Sequence, residues 1–351
     1  MNCCTNCFES DYIRDIILRN KNQGNCNQCG SVNTFIYDAT ELNIFFKAII
    51  DLYEIDDVNG ESIEIQIEKD FPNKIFSKLI FSKSTALSLI KDILTDDILA
   101  YEELLSKPVK LKYQNSDFEE VTIKPLSLSW DKFSYEIKKV NRFHFVNNLD
   151  LERLKSLFIN FEKAIPKGKK FFRARISSKP KSYEKNEMGN PPTDLAKSGR
   201  ANPHGISYLY LANDLKTTLF EARATLFDYV SVGTFRLEDN ISVINLSRNT
   251  YDLFRLAEIE TLEEVLKHGT FIDKLEKGLS APRRKNDSEL DYLPTQYLSE
   301  LIKSMGYDGI EFTSSLNPQG YNLAIFCPEK FKCIDVDIYD IDKLEIEYTK
   351  L

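Results

Sequence analysis

The sequence predicts an α+β protein with three parts: a small cysteine-bound unit, an α/β segment, and a larger domain whose mixed β-sheet carries flanking helices. Three observations predict it. Two CxxC pairs stand within the first 30 residues. Apolar residues recur at both helical and strand spacing between 41 and 145. Beyond 165, alternating strand-like runs are separated by helical stretches and turn formers. At 351 residues the chain exceeds one ordinary core. The expected boundaries give units at 1–40, 41–148 and 149–351.

Composition narrows the function classes. Apolar residues at 42% and charged residues at 28% are globular values. A net charge of -8 excludes broad non-specific nucleic-acid binding, which needs basic surface to displace counterions. Three histidines, His144, His204 and His268, leave little for histidine-rich metal chemistry. No apolar run approaches the ~18–20 residues of a membrane span, and the start lacks a signal-peptide pattern. The expected location is therefore the cytoplasm, where clustered cysteines read as metal ligands more than disulfides.

Taken in order, Cys4-Thr5-Asn6-Cys7 and Cys26-Asn27-Gln28-Cys29 are separated by 18 residues. Each pair turns two thiolates toward one ion, and together they predict a closed tetrahedral zinc site that staples the fold. Cys3 competes in register, but only Cys4 completes CxxC with Cys7. Leu42, Phe45, Phe46, Ile49 and Ile50 predict a helix over 41–53. Ile63, Ile65 and Ile67 alternate with polar residues and predict a strand. One long helix is expected over 84–105, a hairpin over 109–128 with its turn at Asn115-Ser116-Asp117, and a helix from 149 to 165. "KKFFRARI" then reads as a strand, followed by the long proline-rich loop 177–207, a length that is usually functional or disordered. Strands are expected at "YLYLA", "VSVGTFRL", "ISVINLS", "GYDGIEFTS" and "YNLAIFC", with helices near 214–228, 251–267 and 294–305.

Several residues carry candidate chemistry. Arg173 and Arg175 alternate on one strand and so share a face, suited to gripping phosphate. Arg200 sits in "SGRANPHG", where flanking glycines let backbone approach a ligand. Tyr208 and Tyr210 share a strand face and offer rings for stacking. Glu221 lies on a helix that Asn213 or Asp214 caps, with Leu215, Leu219, Ala222 and Leu226 expected as its core stripe.

Read together, "FFRAR…PPTDLAKSGRANPHGISYLYLANDLKTTLFEAR" and "YLPTQYLSELIKSMGYDGIEFTSS…YNLAIF" resemble the RES domain family over residues 165–335. That resemblance implies a fold similar to ADP-ribosyltransferase toxins, and a bacterial toxin–antitoxin enzyme that depletes NAD. The family's arginine, tyrosine and glutamate pattern falls on Arg173, Arg200, Tyr210 and Glu221, its serine on Ser314 or the neighbouring Ser315. Implied roles are catalytic for Glu221, Arg200, Tyr210 and Ser314. Arg173, Arg175, Asn202, Tyr208, Gln296 and Asn322 would bind NAD, the substrate. Ala201 departs from the tryptophan that most members carry there, which touches wall packing. The first 150 residues resemble the HEPN/RES N-terminal domain; an RNase R-x4-6-H motif is absent, since no histidine has an arginine at that distance. The partners implied are a helix-turn-helix antitoxin and a second copy of the chain, with no membrane and no direct nucleic-acid contact. Hydrolysis and phosphorolysis both remain open. So do ADP-ribosyl transfer to a protein, a non-enzymatic zinc-ribbon binding role, and restraint by the N-terminal domain.

Overall fold

The computed structural model describes residues 1–112, 129–144, 150–177, 179–247, 252–258, 261–282 and 288–343. They divide into two compact units, Met1–Lys124 with Tyr251–Lys267, and Pro125–Thr250 with His268–Leu351. Among the described residues no helix is long and apolar enough to cross a membrane.

In the first unit, strands β1 (Asn2–Cys4), β2 (Gln23–Gly24) and β3 (Thr34–Asp38) form an antiparallel sheet in the order β1-β3-β2. A second ladder joins β4 (Tyr53–Ile55) to β5 (Val109–Leu111). Helices around them bury Phe8, Phe46, Phe76 and Phe254, with Phe46 and Phe254 centroids 5.1 Å apart. The segment Leu253–Lys267, which follows the second unit's central strands in sequence, belongs here, tied by Ser10 Oγ donating to Asp252 Oδ2 at 2.6 Å.

Three expectations for this unit are corrected. The helix expected over 41–53 covers Asn43–Ile50, and Tyr53 opens β4. Residues Ile63–Asp70 form a helix instead of a strand. Ile63 and Ile67 stand four apart and are both buried, whereas Ile65 is 48% exposed, so the period-2 signal was the overlap of two helical faces. The helix over 84–105 is two helices, Ala86–Ile93 and Ile98–Ser106, parted by a 3-10 turn at Thr95–Asp97. Most of the hairpin expected over 109–128, including its turn, lies outside the described residues.

The second unit is built on β6 (Glu162–Ile165), β7 (Lys170–Ser177), β8 (Leu209–Ala212), β9 (Tyr229–Leu237), β10 (Ile241–Asn245), β11 (Gly309–Thr313), β12 (Tyr321–Ile325) and β13 (Phe331–Asp340). They form one mixed eight-stranded sheet in the order β13-β9-β7-β8-β12-β11-β10-β6, with β10 and β11 parallel. Phe171, Leu209, Leu211, Phe235, Leu237, Val243, Leu323 and Ile325 pack on one core. Each such side chain taken from water contributes about 1.5–3 kcal/mol.

Here too the sequence reading needed revision. The helix expected from 149 ends at Ile159, and "EKAI" becomes the edge strand β6 against β10. The helix near 214–228 stops at Glu221; in the first unit, the described residues of 251–267 hold the short helices Leu253–Glu258 and Leu262–Lys267. A helix over Gly269–Ser280 and the ten-residue β13 were not expected; a bulge between Cys333 and Asp335 breaks the alternation that would have marked β13.

An ion pair between a half-buried lysine and a buried carboxylate crosses the β6 side of the sheet. Lys163 Nζ donates to both carboxylate oxygens of Glu311 at 2.7 and 2.8 Å, and lies 5.0 Å from the Tyr321 ring centre. Burial pushes the Glu311 carboxyl above the usual range, and Lys163 opposes that rise. Lys163→Met leaves the carboxylate unpaired, and should cost about 3 kcal/mol near pH 8. Because a raised carboxyl pKa favours the protonated folded state, the cost should shrink as pH falls and Glu311 takes up a proton. Denaturant titrations at both ends of that range check this; equal destabilisation at each would contradict it.

Candidate functional site in the split of the sheet

The sheet opens where β7 meets β8. These strands share one residue pair, Phe172 with Ala212, after which β7 follows β9 and β8 follows β12. A cleft of about 540 Å³ fills the gap, within the ~300–1,000 Å³ range of small-molecule sites. Its walls include Arg173 from β7, Tyr210 from β8, Arg200 from the preceding loop, Glu221 from the Leu215–Glu221 helix and Asn322 from β12.

Glu221 is exposed, and one of its carboxylate oxygens is held by two side chains. Its Oε1 accepts from Ser314 Oγ at 2.7 Å and from Asn322 Nδ2 at 2.8 Å. Ser314 is fully buried and accepts from the backbone amides of Leu316 and Asn317 at 3.3 and 3.2 Å, which orients its proton toward Glu221. Ser315 is exposed. The Glu221 helix is capped by Asp214, whose side chain accepts from the Thr217 amide at 2.8 Å. Thr217 and Thr218 form its buried face, contrary to the expected leucine stripe; Leu226 lies past the helix end and is 46% exposed. The Thr217 hydroxyl is buried at no loss, because it donates to Asp214 and accepts from Asn317 Nδ2 at 2.8 Å. A Cβ on Gly320 would stand 1.9 Å from that hydroxyl, so only glycine fits.

The loop bearing Arg200 is held from both sides. Asn202 Nδ2 donates to the carbonyls of Lys197, Pro203 and Ile206, and Asn202 Oδ1 accepts from the Tyr210 hydroxyl at 2.8 Å. Gln296 Nε2 donates to Ser198 Oγ and to the Gly199 and Asn202 carbonyls. A Cβ on Gly199 would meet Asn202 Oδ1 at 2.4 Å, which explains the glycine before Arg200. Arg200 donates to the Gly278 and Pro282 carbonyls at 3.2 Å each and stacks 4.9 Å from the Tyr292 ring. Ala201 is fully buried and its amide donates to the Tyr210 hydroxyl at 3.3 Å. Burial raises the Tyr210 phenol, which stays protonated as a donor.

Arg173 Nη1 and Arg175 Nη2 converge on one acceptor, the Gly189 carbonyl, at 2.6 and 2.8 Å. Neither has a carboxylate partner among the described residues. Burial, with the like charge of Arg175 beside it, pulls the Arg173 guanidinium down to about 10, still cationic at neutral pH. Two neighbouring guanidinium groups without an acid call for an anion.

The structure thus gathers Arg173, Arg200, Tyr210, Glu221 and Asn322 on the cleft, with Ser314 behind Glu221. Arg175, Asn202 and Gln296 brace it from outside. Tyr208 is not brought there: it is buried against Phe326, ring centroids 4.7 Å apart. Sequence reasoning missed Arg223, a further wall residue.

In the first unit Cys4, Cys7, Cys26 and Cys29 are buried, with their sulfurs within 4.8 Å of one another. Sulfur separations of 3.8, 3.4 and 3.5 Å approach the ~3.8 Å expected around a tetrahedral ion with bonds of about 2.3 Å. These residues therefore fit a metal ion. Cys3 points away, its thiol donating to the Tyr37 carbonyl at 3.5 Å.

Among protein families, the RES domain matches residues 170–346. No curated protein matches the chain. Among solved structures, the chain is similar to the MbcT–MbcA toxin–antitoxin complex of M. tuberculosis, at 13% identity over 54% of this chain and 91% of that one, with a TM-score of 0.32. An anti-CRISPR protein is similar at 11% identity over 50% of this chain and 96% of that one, with a TM-score of 0.20.

The cysteine geometry makes a direct prediction. Elemental analysis of the purified chain should find about one metal ion per chain, and Cys7→Ser should lose it and lower the Tm. Metal-free protein with an unchanged Tm would contradict the site.

Proposed function

The chain belongs to the RES domain family, and from that premise we propose that it is an NAD+-degrading toxin that cleaves the bond between nicotinamide and ribose. The observation that supports this most is the pairing of a pinned carboxylate, Glu221, with Arg173, a cation lacking an acidic partner among the described residues, on one cleft. NAD presents the matching groups: an anionic diphosphate next to a ribose whose anomeric carbon bears a cationic leaving group.

Breaking the C1′–N bond leaves the bonding electrons on nicotinamide, which departs neutral and needs no proton. Positive charge gathers on the ribose ring as in glycoside hydrolysis. The Glu221 carboxylate stabilises that charge and orients the ribose hydroxyls, while Ser314 and Asn322 fix its position. Arg173 takes the diphosphate bidentately. Arg200 adds positive potential from its anchor on the Gly278 and Pro282 carbonyls, and Tyr210 presents its ring to the nicotinamide. Water or inorganic phosphate then takes the anomeric carbon. The four-cysteine group, on the same reading, holds a structural zinc with no open coordination position. An enzyme of this kind has to be restrained in its host; an antitoxin partner fits that need.

Incubation of the chain and of Glu221→Gln with NAD, followed for free nicotinamide, tests the proposal. The variant should keep its Tm and lose at least ~100-fold in rate, and only the wild type should arrest growth when expressed in bacteria. Equal NAD loss by both proteins would contradict the role of Glu221. Label from NAD bound covalently to macromolecules would favour ADP-ribosyl transfer instead.

A further inference from the structure

A loop beside Glu221 binds the Glu221 helix at two points. Residues 314–320 connect β11 to β12 and close on themselves: the Ser314 amide donates to the Gly320 carbonyl at 3.0 Å, and the Gly320 amide to the Asn317 carbonyl at 2.8 Å. Two side-chain bonds then cross to the Leu215–Glu221 helix. Ser314 Oγ donates to Glu221 Oε1 at 2.7 Å, and Asn317 Nδ2 donates to Thr217 Oγ1 at 2.8 Å. Thr217 and Glu221 stand four residues apart, so the two bonds meet one helix face a turn apart. The first bond fixes a distance between serine and carboxylate; the second fixes the angle of the loop as well.

The direction of each bond is set by its neighbours. Thr217 donates its proton to Asp214 Oδ2 at 2.7 Å, which leaves its oxygen lone pairs for Asn317, so Asn317 presents its amide nitrogen. The backbone amide of the same Asn317 donates to Ser314 Oγ at 3.2 Å and, with the Leu316 amide, turns the serine proton toward Glu221. Asn317 thus donates to two hydroxyls, each of which points its proton at a carboxylate: Thr217 at Asp214, Ser314 at Glu221. Thr217 and Ser314 are fully buried and Asn317 is 9% exposed. A Cβ at Gly320 would also stand 3.0 Å from Asn317 Nδ2, so the loop meets the helix with no spare room. Glu221 and Leu316 line the cleft, while Thr217 and Asn317 are buried outside it.

We propose that Thr217 and Asn317 are positioning residues for Glu221: their hydrogen bond holds the Ser314 hydroxyl against the carboxylate, and it contributes to the rate of bond cleavage but not to substrate binding. This rests on the reading of Glu221 as the carboxylate that stabilises the ribose charge. The competing explanation is stability alone, two buried polar groups that satisfy each other. The two differ in what is lost. Aiming a carboxylate at charge that develops only in the transition state lowers kcat on removal and leaves affinity unchanged. A pair kept for stability alone lowers the Tm and leaves the kcat of the folded protein unchanged.

Nicotinamide release from NAD by the full chain, measured well below the Tm of each variant and alongside calorimetric titration with ADP-ribose, decides it. Thr217→Val keeps the shape and removes the hydroxyl; Asn317→Ala removes the carboxamide and keeps the backbone amide to Ser314. Each should lower kcat about 10- to 100-fold, with KM and the ADP-ribose Kd within about twofold of the wild type. Thr217→Ser, which retains the hydroxyl, should keep most of the rate. If Thr217→Val does not fold, Asn317→Ala decides, because it alters the loop and leaves the helix intact. Unchanged kcat in folded Asn317→Ala, a loss of rate matched by an equal loss of ADP-ribose affinity, or a Thr217→Ser rate as low as that of the other variants overturns the inference and leaves the reading of Glu221 standing. No nicotinamide release by the wild type removes that reading, and this inference with it.

Discussion

The second unit depends on how little β7 and β8 touch. One backbone pair, Phe172 with Ala212, joins the two halves of an eight-stranded sheet. Antiparallel strands usually continue pairing, because each unmade ladder bond leaves polar backbone to be satisfied elsewhere. Here β7 pairs along its length with β9 and β8 with β12, and beyond Phe172 and Ala212 the facing edges of β7 and β8 border the cleft. The Glu221 helix sits at that opening, and the 177–207 loop brings Arg200 to it. The cleft is a consequence of strand pairing and not a hollow added to the surface.

Around that opening, polar groups divide into those that hold and those that face the ligand. Asn202 and Gln296 were expected as binding residues, but their amides are spent on loop carbonyls. They fix the backbone from which Arg200 projects. Ser314 and Asn322 act in the same way on Glu221, aiming two donors at one oxygen. Such positioning sets in advance the geometry that a charged transition state requires.

How much of this was legible in the sequence follows from what each signal depends on. The "FFRARI" strand, the glycine-flanked Arg200 loop and the CxxC pairs are local patterns whose physics survives in any tertiary setting. The residues 63–70 failed because alternating isoleucines satisfy both a strand and an i,i+4 helix, and only packing chooses. Tyr208 and Tyr210 stand two apart, yet Tyr208 precedes the strand and is covered by Phe326, a neighbour 118 positions away that spacing cannot report. Arg223 was invisible because it lines the cleft from beyond the helix end, and nothing in "FEARAT" announces that the helix stops there.

The central claim is that the split sheet presents a carboxylate, and an arginine with no carboxylate partner among the described residues, to the two ends of one nucleotide diphosphate ribose. The most direct measurement is a crystal structure of Glu221→Gln with ADP-ribose bound. The account predicts diphosphate oxygens within hydrogen-bond distance of Arg173 and a ribose hydroxyl against residue 221. ADP-ribose bound elsewhere, or in the cleft with its diphosphate turned away from Arg173, would contradict it.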